Sequence, residues 1–131
     1  MADRFTRIVV ANRWRDHDSR SGTGSNLAQT ENIRSRLPSL MEGLGVRVLL
    51  DAPCGDFHWM SHTRLPVDSY IGVDVVADVI EGNRARYSSP ERSFQVCDIT
   101  AEPLPRADLI LCRDCLVHFS FEDALAAIRR F

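Results

Sequence analysis

The sequence predicts an α/β protein with a Rossmann-like, doubly wound, mostly parallel sheet and helices on both faces, incomplete at its C-terminal end. Short, nearly continuous apolar runs alternate with helical segments long enough to cross over, which is typical of parallel strands buried on both faces. The first run ends in Asp51 and a small-residue turn containing Gly55, and the second ends in Asp74, 23 residues after Asp51. Doubly wound folds present a carboxylate to a ribose at about this spacing.

One domain accounts for the chain, because 131 residues of 44% hydrophobic composition supply one core and no long polar tract divides them. We separate an irregular N-terminal arm with a Gly/Ser loop, 1–25, from the domain at 26–131. The formal charge of -2 argues against nucleic acid as a partner. No run is apolar and long enough for a signal peptide or a membrane span. Four cysteines in this composition favour packed thiols in a reducing compartment, so we expect a cytoplasmic protein.

Turn residues and helical periodicity define the first elements. The Gly/Ser-rich stretch 19–25 predicts a loop, and Ser25 is expected to cap the helix that follows. Pro38 is expected to kink or split this helix, and Gly43 and Gly45 to end it. The helix is indicated by apolar residues at three- and four-residue steps: Leu27, Ile33, Leu37, Leu40, Met41 and Leu44.

Four strands and two further helices are expected in the rest of the chain. The clearest crossover helix spans 76–87, and a capping box at Ser120 opens a final helix. Because the chain stops at Phe131, after four strands, we expect it to be truncated, with an exposed edge on the fourth strand that favours self-association. The predicted strands are 46–50, 70–74, 94–98 and 108–112.

Four stretches of the chain together resemble class I S-adenosylmethionine-dependent methyltransferases. They read Asp-Ala-Pro-Cys-Gly-Asp at 51–56, Tyr-Ile-Gly-Val-Asp at 70–74, Cys-Asp at 97–98, and Ala-Asp-Leu-Ile-Leu-Cys-Arg-Asp at 107–114. The stretch 21–25 and Leu37-Pro38 are similar to the lead-in of bacterial members that carry this Asp-Ala-Pro-Cys-Gly-Asp variant. The resemblance covers the chain from about residue 20 to its end, and it implies methyl transfer to an unidentified acceptor, with a small molecule favoured.

The resemblance also implies cofactor contacts at the first two strand ends. Asp51 and the backbone around Cys54 and Gly55 would face the amino-acid part of S-adenosylmethionine, where the missing side chain of Gly55 allows close approach. Asp74 would accept hydrogen bonds from the ribose hydroxyls. One departure concerns the usual Gly-x-Gly-x-Gly turn, whose outer glycines are replaced by Pro and Phe at 53 and 57, so we expect the loop to run differently.

At the other two strand ends, the resemblance implies contacts to the adenine and to the region of the methyl group. Asp98 and the backbone of Ile99 would hold the adenine amino group. Cys112 and Arg113 would line the floor beside the methyl group. A simpler interpretation is that each strand-end acid only caps the next helix, but three such acids in series favour a cofactor site.

Catalytic residues are harder to assign. His118 follows the fourth strand and could act as a general base, although a packed or capping histidine has the same sequence signature. Asp114 and His58 are weaker candidates for that role. Cys112, Cys115 and His118 follow one another at three-residue steps, but neither a fourth ligand nor another Cys-x-x-Cys pair accompanies them, so no metal site is expected.

Two other functions remain open from the sequence. A nicotinamide-dependent oxidoreductase would share the acid at position 74, but its Gly-x-Gly-x-x-Gly fingerprint is missing. A non-catalytic nucleotide-binding or interaction module could keep the same fold without the elements that bind an acceptor.

Overall fold

The computed structural model describes residues 5–7, 11 and 16–131, so residues 1–4, 8–10 and 12–15 of the predicted arm lie outside the described residues. Its centre is a four-stranded sheet in which every pairing is parallel and the strand order is β3-β2-β1-β4. This arrangement confirms the predicted doubly wound fold. The strands are β1, Val48–Asp51; β2, Ser69–Asp74; β3, Arg92–Val96; and β4, Leu109–Leu111.

Helices precede, connect and follow these strands. They are α1, Glu31–Gly43; α2, His58–Ser61; α3, Ala77–Tyr87; and α4, Phe121–Ile128, with short 3-10 helices at Thr23–Ser25 and Leu116–His118. The capping box is confirmed, since the Ser120 hydroxyl accepts a hydrogen bond from the backbone N–H of Asp123 at 3.1 Å. The glycine signals at the end of the first helix are confirmed as well, with α1 ending at Gly43.

One expectation for the first helix is wrong, and another is wrong in one of its two alternatives. Ser25 caps nothing, because it ends a 3-10 helix, and α1 begins only at Glu31 after a series of turns. Pro38 does not split α1, which runs through it unbroken. Leu37 and Met41 on either side of the proline are buried in the core, and this packing outweighs the hydrogen bond that Pro38 cannot make.

Strands β1 and β4 are shorter than the apolar runs that predicted them, β2 begins one residue earlier, and β3 is displaced by two residues toward the N-terminus. Val46 is buried, but its N–H bonds to the carbonyl of Met41 at the end of α1 and not to the sheet. Asp98 lies beyond β3, because its side chain accepts the N–H of Thr100 in a local turn at 2.9 Å. Cys112 likewise falls just outside β4.

Each face of the sheet has its own core, as alternation along β1 requires. Leu49 joins one cluster with residues of α1, α2 and α3, whereas the neighbouring Leu50 joins another with Ala127 of α4. The helices therefore cover both faces, and the carboxyl ends of all four strands meet at one edge. Within the described part of the chain, none of the helices combines the length and the apolar character that crossing a bilayer requires.

Candidate functional site

The carboxyl ends of the four strands open into one cleft with an empty volume of about 930 Å³, counting the part that is open to solvent. Clefts of this kind at the switch point of a doubly wound sheet are where ligands bind. Seven of the eight predicted cofactor residues line it: Asp51, Cys54, Gly55, Asp74, Asp98, Ile99 and Arg113.

Gly55 lies at the centre of the turn after β1, and the fold requires a glycine there. Its φ is 54°, in the left-handed region, and a Cβ at this position would collide with the hydroxyl oxygen of Ser21. The Gly55 N–H donates to Asp74 at 3.1 Å, and its carbonyl accepts from the Asn83 amide at 2.7 Å. Hydrogen bonds with Asp74 and Asn83 and the close approach of Ser21 therefore hold the turn in place. Gly55 presents its backbone to the cleft without a side chain.

Phe57 occupies the position of the last glycine in the usual Gly-x-Gly-x-Gly turn. Its φ is 59°, which is unusual for a bulky residue and costs on the order of 1–3 kcal/mol. The ring compensates by packing among Tyr70, Tyr87 and Phe94, with ring centroids 4.9 to 5.2 Å apart. The loop departs from the glycine-rich pattern because a buried aromatic cluster holds its third position.

The segment before α1 closes over this turn. Ser19 donates to the Asp56 carboxylate at 2.9 Å, the N–H of Arg20 donates to the same oxygen at 2.7 Å, and the N–H of Asp56 donates to the Ser21 hydroxyl at 2.9 Å. Ser21 and Ser25 consequently line the cleft. Sequence reasoning missed both as site residues. The Gly/Ser stretch marked the loop but did not show which turn it would contact.

Asp51 is buried at the end of β1, with 3% of its surface exposed. Its pKa is raised to about 7, mainly by burial and to a smaller extent by the nearby Asp74 carboxylate, whereas the hydrogen bond from Tyr70 and the charge of Arg113 act in the opposite direction. The Tyr70 hydroxyl donates to Asp51 Oδ2 at 2.7 Å. The carboxyl is thus held in place from within the core, at the edge of the cleft.

Asp74 ties the glycine turn to the start of α3. Its Oδ1 accepts the N–H of Val76 at 2.9 Å, and its Oδ2 accepts the N–H of Gly55. Burial raises the pKa of this carboxyl, and those backbone hydrogen bonds counteract the increase. The simpler capping interpretation does not hold for α3, because its N-cap is Val76 and no side chain caps its start. A carboxylate oxygen can accept a second hydrogen bond, and Asp74 also lines the cleft.

Beyond β3, Asp98 and Ile99 form the third part of the cleft wall. Asp98 Oδ1 accepts both the N–H and the hydroxyl of Thr100, at 2.9 and 2.6 Å. Its Oδ2 makes no hydrogen bond to any residue that the structure describes. Ile99 is buried, and Val75, Val76 and Val79 supply the apolar wall between Asp98 and Asp74.

Arg113 lies just after β4, at the end of the sheet opposite to Asp98. Its guanidinium carbon lies 5.7 Å from the centroid of the Trp59 ring, and its Nη1 lies 3.2 Å from the Asp114 carboxylate. Trp59 is 6% exposed and belongs both to the core and to the cleft wall. Trp59 therefore faces the ligand space, whereas Phe57 is a core residue.

Cys112 does not line the cleft, in contrast to the prediction. It packs against the core cluster on the α4 side of the sheet. A hydrogen bond with Cys115 lowers the pKa of the Cys112 thiol, and the same contact raises the pKa of Cys115. All four thiols are free and three of them are buried, as expected from the composition. The described residues contain no group of three potential ligands able to hold a metal ion.

The three catalytic candidates are separated by the fold. His118 and Asp114 line the cleft near Arg113. His58 is not among the lining residues, because its Nε2 faces the Asp18 carboxylate at 3.2 Å and its ring packs on His62. The cleft therefore brings His118 and Asp114 to the ligand space and leaves His58 outside it.

Comparisons with known proteins agree with this fold. Seven chains of solved structures match the protein, whereas no curated protein sequence does. One match is the crystal structure of magnesium protoporphyrin IX methyltransferase (ChlM) from Synechocystis PCC 6803 with bound SAH, with a TM-score of 0.63 and 15% sequence identity. The alignment covers 98% of this chain and 63% of that one, so the protein spans less than two thirds of the length of the methyltransferase. The match shows that the two proteins share a fold.

A family model described as a methyltransferase domain matches residues 50–131, from the end of β1 to the last residue of the sequence. The matched region includes the glycine turn, all three strand-end acids and Arg113. Since it makes up well over half of the sequence, the chain belongs to this methyltransferase domain family, whose members use S-adenosylmethionine as methyl donor.

Proposed function

We propose that the chain binds S-adenosylmethionine in the strand-end cleft and transfers its methyl group to an acceptor, for which we favour a small molecule. The observation that carries this proposal is the row of carboxylates at consecutive strand ends, Asp98, Asp74 and Asp51, beside the bare backbone of Gly55. Membership of the methyltransferase domain family supports it.

In this proposal each acid has one task. Asp98 and the backbone of Ile99 hold the adenine amino group, Asp74 accepts the ribose hydroxyls, and Asp51 faces the amino group of the methionine part. The apolar wall formed by Val75, Val76 and Val79 excludes water from the adenine face. Gly55 allows the ligand to approach the backbone closely.

When bound, the cofactor supplies a methyl group on a positively charged sulfonium, which is already a good leaving group. Alignment of an acceptor nucleophile behind that methyl group then supplies much of the rate, and a base is needed only for a protonated acceptor. His118 and Asp114 are the candidates for such a base, because both line the cleft. His58 is no longer a candidate in this proposal, since it faces Asp18.

A second candidate function is binding without transfer. The chain corresponds to 63% of the length of the solved methyltransferase that it matches, and acceptor specificity in this class of fold comes largely from added loops and segments. Stoichiometric binding of the cofactor without turnover would favour this function. The oxidoreductase alternative is disfavoured because the turn after β1 has one glycine, Gly55, where a dinucleotide fingerprint needs three.

Calorimetric titration of the purified protein with SAH, S-adenosylmethionine and NAD⁺ tests the proposal. We expect both sulfur nucleosides to bind and NAD⁺ not to bind. Asp74→Ala should weaken SAH binding by about 10- to 100-fold, because it removes charge-assisted hydrogen bonds to the ribose.

Asp68→Ala is the matched control, since it removes an exposed carboxylate whose partner is Arg47, far from the strand-end cleft. Its SAH affinity should equal that of the parent protein. If neither SAH nor S-adenosylmethionine binds, the proposed function is wrong. Unchanged SAH affinity in Asp74→Ala would show that Asp74 only holds the backbone of Gly55 and Val76 and does not bind the ribose.

A further inference from the structure

We infer that Arg113 is the anchor for the carboxylate of the cofactor's amino-acid end, which makes it a specificity residue for ligands that carry an α-carboxylate. This inference rests on the proposed function, and it gives Arg113 a different task from the floor position beside the methyl group.

The first argument is the order of charges across the sheet. The strand order places Asp98 after β3, Asp74 on β2, Asp51 on β1 and Arg113 after β4, in that spatial sequence. Neighbouring strands are about 4.8 Å apart, so the row extends over about 14 Å. An extended nucleoside with an amino-acid tail follows such a row, and its zwitterionic end then lies between Asp51 and Arg113.

Charge balance provides the second argument. Four carboxylates line the cleft, at positions 51, 74, 98 and 114, and Arg113 is the only arginine among the described residues that line it. A ligand carboxylate placed among these acids without a cation would be repelled strongly, particularly in a partly desolvated cleft. Asp51 balances the charge of the ligand's ammonium group, and Arg113 balances the charge of its carboxylate.

The local geometry of Arg113 fits this task. Its side chain is 25% exposed, its guanidinium leans on the Trp59 ring, and Nη1 already has a carboxylate partner in Asp114 at 3.2 Å. Nε and Nη2 make no hydrogen bond to the residues that the structure describes. Asp114 thus shows that a carboxylate is accommodated at this position, and a planar guanidinium has donors left for a second one.

The test compares two ligands with two proteins. SAH carries the carboxylate, and S-(5′-adenosyl)-3-thiopropylamine is its decarboxylated analogue that keeps the amine. For Arg113→Gln we expect SAH affinity to fall by about 10- to 100-fold, and affinity for the decarboxylated analogue to change by less than about threefold. Arg113→Lys keeps the charge but loses the planar fork, so it should recover part of the SAH affinity.

Arg106→Gln, at an exposed position before β4 and outside the cleft, is the matched control and should bind both ligands like the parent protein. Thermal unfolding of each variant shows whether it is folded. Equal weakening of both ligands in Arg113→Gln, or no weakening of either, would overturn the inference. A parent protein that binds neither sulfur nucleoside would instead contradict the proposed function.

Discussion

At the scale of single residues, Asp51 is a carboxyl whose charge depends on pH close to neutrality. Its pKa rises from 3.8 to about 7 in the folded protein, mainly because the side chain is buried, and Tyr70, Asp74 and Arg113 are the groups that face it. The folded state therefore binds more protons than the unfolded state between pH values of about 4 and 7. The contribution of Asp51 to stability without a ligand therefore falls as the pH rises through this window.

Asp51→Asn is expected to remove most of this loss, because Asn is neutral and can still accept the hydrogen bond from Tyr70. At pH 8 the variant should be more stable than the parent protein, by at most about 4 kcal/mol, and at pH 4 the two should be similar. Urea unfolding at both pH values measures this. Asp68→Asn, at an exposed ion pair, serves as control, and an unchanged pH dependence in Asp51→Asn would contradict the assignment.

Gly55 illustrates how one residue can be required for two independent reasons. Its positive φ disfavours any side chain, and a Cβ would also collide with Ser21. Gly45 has a similar φ of 65°, but nothing lies within 4 Å of the position of its Cβ. Comparing the two glycines separates backbone strain from collision.

Gly45→Ala should therefore cost about 1–2 kcal/mol of unfolding free energy from strain alone, and Gly55→Ala should cost more. Ser21→Gly removes the collision, but it also removes the hydrogen bond from Asp56. Added to Ser21→Gly, the Gly55→Ala change should therefore cost about as much as Gly45→Ala. Denaturant unfolding of the three single variants and the double variant measures the differences. Equal losses of unfolding free energy in Gly45→Ala and Gly55→Ala would show that the Ser21 side chain moves aside without a measurable cost.

At the scale of elements, the sequence signals worked where local chemistry decides the structure. The capping box at Ser120 and the glycines after α1 are local signals, and both mark true boundaries. Ser25 misled because turns separate it from α1. Pro38 misled in part, because Leu37 and Met41 beside it are buried in the core and the helix continues through it. The same division holds in the site. The strand-end acids follow from the strand pattern, whereas Ser21 reaches the cleft through hydrogen bonds to Asp56, 35 residues away.

Helix α4 presents an element-scale surface that the core does not use. Phe121, Leu125 and Ile128 follow one another at helical spacing and are 82%, 37% and 51% exposed. The neighbouring strand β4 pairs only with β1 among the described strands, so its other edge is open. An apolar stripe beside an open edge favours association of chains.

We expect the protein to self-associate as its concentration rises, and Phe121→Glu together with Ile128→Glu to shift it toward the monomer. Sedimentation velocity over a wide concentration range measures this. Glu122→Lys, on the same helix, changes charge without removing apolar surface and is the control. A parent protein that stays monomeric throughout, or a double variant that associates equally, would contradict the expectation.

At the scale of the whole molecule, the proposed ligand groups come from four different strands and not from one stretch of sequence. Asp98, Asp74, Asp51 and Arg113 become neighbours only when the whole sheet has formed. A ligand that contacts the carboxyl ends of all four strands would stabilise the whole sheet. At a concentration 100 times its Kd, it would add about 2.7 kcal/mol to the free energy of unfolding. Strand β4 has three residues and pairs with one neighbour among the described strands, so its amide exchange would report occupancy of the cleft.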